Sequence, residues 1–176
     1  MANHHAATYL NDHLAGSVVA IELLATLERT NAGSDISQFA AKLRADITED
    51  RQVLEALMKQ LHIGVSTSRK AMAWVAEKLT ELKLRLDDPS GGPLRLLEAC
   101  EGLEIGIVGK AALWRALAAV APAAPALQGI NYDRLEKRAE DQRREVEAVR
   151  IEAAKAALGE SLATASKQSP GSGSHF

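Results

Sequence analysis

The sequence predicts an all-α protein in which four long helices form an up-down-down-up bundle with an additional helical crossover. Apolar residues recur at intervals of three and four along nearly the whole chain, which is the spacing of a helix face. Strand signals are scarce, because aromatic residues make up 3% of the chain and no Asn-Gly or Asp-Gly turn joins alternating runs. With 176 residues, of which 47% are apolar, the chain is long enough to bury one hydrophobic core.

Turn and cap residues delimit the first two predicted helices. The first covers about residues 6–30 and is followed by Gly33, the residue type that commonly follows a helix. The second begins at Ser34-Asp35 and runs to about residue 62. Gln38 follows Asp35 by three residues, which is the spacing of a capping box.

Three further helical segments complete the chain. The first of them, about 67–86, carries one apolar stripe and several basic residues. Pro93 suits the first turn of the next helix, about 93–121, and Pro122 closes it. The last helix is predicted over about 131–158.

The lengths of these segments predict how the helices are connected. The four long helices have about 25–29 residues each, or about 37–43 Å, and two short loops make each consecutive pair antiparallel. The segment 67–86 is about 30 Å long and carries the chain back along the second helix, so that the following helix runs parallel to it. We expect one bundle domain over residues 1–160 and a disordered tail over 161–176, where Ser and Gly replace the periodicity.

Charge and composition exclude several classes of function. A net charge of −2 argues against a nucleic-acid binder that works by bulk charge, and a single cysteine excludes an intrachain disulfide or a multi-cysteine metal site. The N-terminal residues lack the pattern of a signal peptide. Charged residues interrupt the most apolar windows, 14–27 and 105–120, so we expect no transmembrane segment and a cytoplasmic protein.

Each long helix places one polar residue among apolar neighbours. These residues are Glu22, Asp50, Glu104 and Gln142, one on each helix in chain order. A buried carboxylate without a partner is costly, so each carboxylate predicts either a cationic partner or a metal ion.

Four stretches of the chain resemble a group of uncharacterised bacterial proteins of the ferritin-like superfamily. The resemblance extends over most of residues 9–155 and is carried by YLNDHLAGSVVAIELL, TEDRQVLEALM, AWVAEKLTELKL and GIVGKAALWRAL. It implies a ferritin-like bundle, a fold that is used for iron storage, for oxidases and for proteins without a known metal. The metal-binding pattern of that superfamily is degenerate here, because the chain contains no Glu-x-x-His.

Two interpretations of the polar residues name particular side chains, and a third, an organic ligand or other catalysis, also remains open. In one, a divergent site holds iron or manganese, and the candidate metal ligands are Glu22, Asp50, Glu104, His13 and Glu145. In the other, no metal or other cofactor is bound and the same carboxylates pair with Arg or Lys in a polar core; its further members are Glu49, Arg51, Glu101, Gln142 and Arg150.

Aligning the helices by the position of their residues along the bundle axis, which we call height matching, refines the second interpretation. His13 then lies near Gln52, and a cluster of Asp12, His13, Glu49, Asp50 and Arg51 is as plausible as a four-carboxylate site. On the other helix pair, Glu101 lies level with Arg150 and is expected to form an ion pair with it.

The function predicted from these observations is a structural or protein-interaction role without a clear catalytic site. The alternative is a metal-binding protein or a di-metal oxidoreductase. Three helix glycines (Gly102, Gly106 and Gly109) predict close helix–helix approach, within the chain or across a homodimer. A third hypothesis is that the basic crossover binds anionic surfaces through Lys78 and Lys83.

Overall fold

The computed structural model of the chain describes residues 4–66, 73–78, 80 and 92–167. Within these residues the regular structure is helical and no β-strand occurs. The long helices are α1 (His4–Thr30), α2 (Asp35–Gln60), α3 (Gly92–Val120) and α4 (Tyr132–Lys167). Two short 3₁₀ helices, Ala121–Ala123 and Pro125–Leu127, connect α3 to α4. The all-α prediction is therefore confirmed.

The crossover predicted over 67–86 falls mostly outside the described residues. Residues 73–78 and residue 80 are helical, as the periodicity of this segment predicts. Lys78 lies in this stretch, whereas Arg69, Lys70, Lys83 and Arg85 lie outside the described residues.

The boundaries of α2 are set by a side-chain cap and a left-handed residue. Ser34 is the N-cap, and its hydroxyl oxygen accepts a hydrogen bond from the Ser37 backbone N–H at 3.3 Å, so the cap is one residue earlier than the Asp35–Gln38 pair predicts. At the other end His62 has a φ of +55°, and the N–H of Ile63 donates to the carbonyl oxygen of Met58. Gly33, which the sequence predicts to follow the first helix, has a φ of +82°.

The last helix is longer than predicted. It continues to Lys167, past the expected end at residue 158 and into the segment 161–176 that we expected to be disordered. The sequence between these points contains Ala, Leu and Lys and only one glycine, Gly159, which costs a helix about 1 kcal/mol relative to Ala. Loss of apolar periodicity therefore does not end this helix. Residues 168–176 lie outside the described residues.

The four long helices pack as two hairpins laid against each other. α1 packs along α2 and α3 along α4, while α1 also contacts α3 and α2 contacts α4. Ion pairs give the directions: Arg44 of α2 meets Glu28 of α1, and Lys42 of α2 meets Glu145 of α4. Glu28 lies near the end of α1 and Arg44 in the first half of α2, so α1 and α2 are antiparallel. From Lys42 to Asp50 along α2 the partners on α4 run backwards, from Glu145 to Arg138, so these two helices are antiparallel as well.

The hydrophobic core consists of two apolar clusters stacked along the bundle. One cluster is centred on Leu24, Leu43 and Leu103, and the other contains Leu57 and Trp114. Along α2 the first cluster ends at Ile47 and the second begins at Leu54. Asp50 lies between these two positions and is buried, so a polar site separates the two halves of the core.

Candidate functional site

Asp50 is the centre of a buried polar network in the middle of the bundle. It lies on α2, and only 3% of its surface is exposed. Lys110 of α3 donates from Nζ to Oδ2 of Asp50 at 2.5 Å, and Arg138 of α4 donates from Nη2 to Oδ1. Gln142 of α4 donates from Nε2 to the same Oδ2 at 3.3 Å. Side chains from two other helices thus occupy both oxygens of this carboxylate.

The partners of Asp50 are also connected to one another. Lys110 donates a second hydrogen bond to Oε1 of Gln142, so the Gln142 amide is an acceptor for the lysine and a donor to Asp50. Arg138 reaches further outward and pairs with Glu49 at 2.8 Å; the Glu49 side chain is 60% exposed. The network therefore runs from the buried centre to the solvent between α2 and α4.

Burial dominates the electrostatics of Lys110. Desolvation of its ammonium group lowers its pKa below the ordinary value, and the neighbouring Asp50 carboxylate opposes this shift without reversing it. The network as a whole holds two carboxylates, Asp50 and Glu49, and two cations, Lys110 and Arg138, so its formal charges balance.

The other predicted carboxylates lie in separate ion pairs rather than at this centre. Glu104 is partly buried and lies 3.3 Å from Arg143 and 3.7 Å from Arg150 of α4. Glu145 lies 2.6 Å from Lys42. Glu101 lies 3.8 Å from Arg150, which is the ion pair that the helix register predicts.

Glu22 does not enter the core, and the expectation that it does is wrong. Its side chain is exposed, whereas Leu24 on the same helix is fully buried. Two residues along a helix correspond to about 160° between side chains, so Glu22 and Leu24 lie on nearly opposite faces. The sequence is misleading here because α1 is apolar almost all round between Leu14 and Leu27, so its core-facing stripe does not stand out.

His13 and Asp50 do line a common space, a pocket of about 420 Å³ between α1, α2 and α3. Asp12 and Arg51 line it as well, so four members of the cluster predicted by height matching face one pocket. Glu49, the fifth member, faces a smaller pocket on the other side of α2. Burial lowers the pKa of His13 below its ordinary value, with a weaker opposing effect of Asp12.

Glycines and apolar side chains form most of the pocket wall. Gly16 of α1 and Gly106 and Gly109 of α3 line it, and a Cβ atom built on any of these three would have no neighbour within 4 Å. Within the described part of the chain these α3 glycines therefore do not serve close helix–helix approach, and close approach across a homodimer stays a prediction. They instead leave open space beside Lys110.

The metal candidates do not converge. Among residues 4–66, 73–78, 80 and 92–167, no group of three or more His, Cys, Asp or Glu side chains is placed to hold one metal ion. His13 packs edge-on against Tyr9, with ring centroids 4.7 Å apart, and Arg51 pairs with Glu55 of its own helix at 2.8 Å.

Sequence reasoning found most of the central network but missed Arg138. The polar-core interpretation requires Arg or Lys partners for the carboxylates, and Lys110 is such a partner. Asp50 and Gln142 stand out in the sequence as polar residues on apolar stripes. Arg138 precedes Gln142 by four residues and so lies on the same helix face, which is the signal that could have found it.

α1 meets the length and composition of a membrane-crossing helix, the only such helix in the described part of the chain. Its most apolar window has a mean hydropathy of 1.2, and 33% of that window is buried inside the structure. The absence of a transmembrane segment therefore stays a prediction.

Comparisons of the chain with protein-family models, with curated proteins and with solved structures found no match. The arrangement of its own side chains is therefore the basis for inferring a function.

Proposed function

We propose that this chain is a cytoplasmic, ferritin-like four-helix bundle with a structural or protein-interaction role, in which an ion-pair network takes the place of a metal centre. The observation that carries the proposal is the environment of Asp50. Lys110 and Arg138 bind its two oxygens, and Gln142 donates to one of them. The antiparallel pairing of neighbouring helices supports the ferritin-like arrangement.

The chemistry of the network disfavours a metal ion beside Asp50. A metal ligand must offer free lone pairs, and a divalent cation would approach two positive charges that already contact the carboxylate. The other carboxylates of the predicted set have cationic partners of their own at 2.6–3.7 Å, apart from the exposed Glu22. A structural network needs these pairings, whereas a metal site would need the carboxylates free.

Exposed apolar side chains support self-association as the form of the interaction. Ile105 is 75% exposed and Val108 lies on the same side of α3, one turn further along. Sedimentation of the chain and of the Ile105→Glu variant tests this part of the proposal: we expect a dimer that dissociates in the variant, and a monomer in both would contradict it.

Metal content tests the proposal about the network. The terminal histidines are first replaced (His4→Ala, His5→Ala and His175→Ala), so that their adventitious binding does not contribute. The chain is incubated separately with iron(II), manganese(II) and zinc(II), desalted, and assayed for metal per chain. We expect less than about a tenth of an equivalent of each metal, since no group of free ligands converges in the part of the chain that the structure describes.

Two variants make the result specific. Asp50→Ala removes the central carboxylate, and Glu22→Ala removes an exposed carboxylate as a matched control. One or two equivalents of metal that disappear in Asp50→Ala but persist in Glu22→Ala would overturn the proposal in favour of a metal-dependent function.

A further inference from the structure

The pocket between α1, α2 and α3 has the volume of a small-molecule site. Its volume of about 420 Å³ lies within the range of about 300–1,000 Å³ that is usual for ligand pockets. An apolar cavity of roughly 150 Å³ holds one benzene molecule, so this pocket has room for about two or three rings or for a chain of similar volume. The surface that faces the pocket is mainly apolar, with contributions from Ala20 of α1, Ile47 of α2 and Ile107 of α3.

Three glycines of the lining keep this space open. Gly16, Gly106 and Gly109 lie within helices and have the helical backbone that any residue adopts, so the backbone conformation does not require glycine there. A Cβ atom at each position would meet no atom within 4 Å, so the packing does not require glycine either. Glycine inside a helix lowers the stability of that helix relative to alanine. These residues therefore weaken two helices, and what they provide in this structure is the open volume of the pocket.

The charged side chains that line the pocket cancel one another. Among the described residues of the lining, two are acidic and two are basic: Asp12, Asp50, Arg51 and Lys110. Asp50 pairs with Lys110 at 2.5 Å, Arg51 pairs with Glu55 of its own helix at 2.8 Å, and Asp12 is exposed to water, which screens its charge. Burial lowers the pKa of His13, so its imidazole is neutral at pH 7. The lining therefore offers no uncompensated charge to an ionic ligand.

We propose that this pocket binds an uncharged, mainly apolar small molecule that fills the space between α1, α2 and α3. Burial of the apolar surface of the ligand against the apolar walls provides the free energy of binding. An ion would lose its hydration in the pocket without gaining a partner of opposite charge, which disfavours it. This inference goes beyond the structural role proposed above and depends neither on the absence of metal nor on self-association, so each proposal can fail without the others.

Two fluorescent probes that differ by one charged group test the proposal on the full-length chain. N-phenyl-1-naphthylamine is uncharged, and 8-anilinonaphthalene-1-sulfonate has the same ring skeleton with an added sulfonate. We expect fluorescence titration to show one site per chain for N-phenyl-1-naphthylamine, with binding about tenfold or more tighter than that of the sulfonate. If the uncharged probe does not bind, or if the sulfonate binds as tightly, the proposal is overturned.

Displacement of the bound probe extends the test to both signs of charge. The competitors are octan-1-ol, octanoate and octylamine, of which the last two are ionised at pH 7. We expect the alcohol to displace N-phenyl-1-naphthylamine at a concentration about tenfold or more below that of either ion. An ion that displaces the probe as effectively as the alcohol would also overturn the proposal.

A matched pair of glycine variants tests the location of the bound probe. Gly109→Leu adds a side chain at a position that lines the pocket, whereas Gly102→Leu adds the same side chain to the same helix outside the lining. A Cβ atom at either position meets no atom within 4 Å. We expect Gly109→Leu to weaken the binding of N-phenyl-1-naphthylamine by about tenfold or more and Gly102→Leu to leave it within about twofold. Unchanged binding in Gly109→Leu would overturn the proposal.

Two further variants separate the pocket from the rest of the molecule. Gly16→Leu narrows the same pocket from α1, so it tests the location independently of whether Gly109→Leu folds, which circular dichroism shows. Ile105→Glu changes the exposed apolar face of α3 outside the pocket and should leave probe binding within about twofold. Binding that is lost in Ile105→Glu but kept in Gly16→Leu would place the probe on that exposed face and overturn the proposal.

Discussion

Two carboxylates of this bundle each contact two cations, yet their surroundings differ. Asp50 is 3% exposed and lies between the two halves of the core, where it contacts Lys110 and Arg138. The Glu104 side chain is 25% exposed and lies at the edge of the α3–α4 interface, within 3.7 Å of Arg143 and Arg150. The number of ionic partners is therefore the same, and the access of water is what distinguishes the two carboxylates.

The cations around Asp50 and around Glu104 also differ in whether they have other acidic partners. Arg143 has Glu140 at 3.2 Å and Arg150 has Glu147 at 2.6 Å, both within their own helix and open to water. Lys110, by contrast, has only the neutral amide of Gln142 besides Asp50 among the described residues. Loss of Asp50 would leave a buried charge uncompensated, and loss of Glu104 would not.

The largest expected effect is the loss of stability in Asp50→Ala. Removing one partner of a buried ion pair typically costs about 3–5 kcal/mol, because the remaining charge stays buried. For Glu104→Ala we expect about 1 kcal/mol or less, as is usual for ion pairs that water reaches. Urea denaturation of the wild type and both variants measures the difference, and equal losses would contradict the comparison.

A double-mutant cycle sharpens the comparison to single pairs. We expect a coupling free energy of about 1.5–3 kcal/mol between Asp50→Asn and Lys110→Met, since a hydrogen bond to a charged group is broken in a buried place. For Glu104→Gln and Arg143→Met the coupling should be about 0.2–1 kcal/mol. A coupling at Glu104 as large as that at Asp50 would show that exposure does not set the strength of these pairs.

Sequence reasoning predicted Asp50 and Gln142 better than Glu22 for a physical reason. α2 alternates apolar and polar faces, so a polar residue on its apolar stripe stands out and its inward direction can be read from the periodicity. Between Leu14 and Leu27, α1 is apolar almost all round, and the same argument placed Glu22 in the core although it is exposed. The buried face of a helix can be predicted from its sequence only when the opposite face is clearly more polar.

The long-range parts of the site could not be predicted from the sequence. The contact of Arg138 with Asp50 depends on the axial offset between α2 and α4, and a shift of one turn would replace this partner by another. The pocket depends on the positions of three helices and on glycines that leave space beside Lys110. The loop lengths in the sequence determine the axial offset between two helices only to within about one helical turn. A hydrogen bond forms only when that offset is correct to within a fraction of an ångström.

Raising the pH distinguishes the buried lysine from an exposed one. Burial lowers the pKa of Lys110 below 10.5. Between the folded-state pKa and 10.5, the unfolded chain therefore binds more protons than the folded chain, and the free energy of unfolding increases as the pH rises. The hydrogen bond to Glu145 raises the pKa of Lys42 above 10.5. The stabilisation that Lys42 provides is therefore complete below pH 10.5 and is lost as the pH rises through the folded-state pKa of Lys42.

Chemical denaturation of the wild type, Lys110→Met and Lys42→Met between pH 7 and 11 checks this difference. Toward pH 10.5 the stability of the wild type should rise relative to Lys110→Met. Above pH 10.5 it should fall relative to Lys42→Met. The same trend in both comparisons would mean that the two lysines have similar surroundings.

The smallest expected effect is the response of the two carboxylates to salt. At 1 M salt the Debye length is about 3 Å, so charges that water reaches are screened even at contact, whereas buried pairs are screened much less. We therefore expect the stability difference between wild type and Glu104→Ala to shrink toward zero at 1 M sodium chloride, and that between wild type and Asp50→Ala to change by less than about 0.5 kcal/mol. Because both differences are measured against the same wild type, general effects of salt on the fold cancel. If the stability lost in Asp50→Ala depends on salt, water reaches the network through the pocket. If the stability lost in Glu104→Ala does not depend on salt, the α3–α4 edge is closed to water.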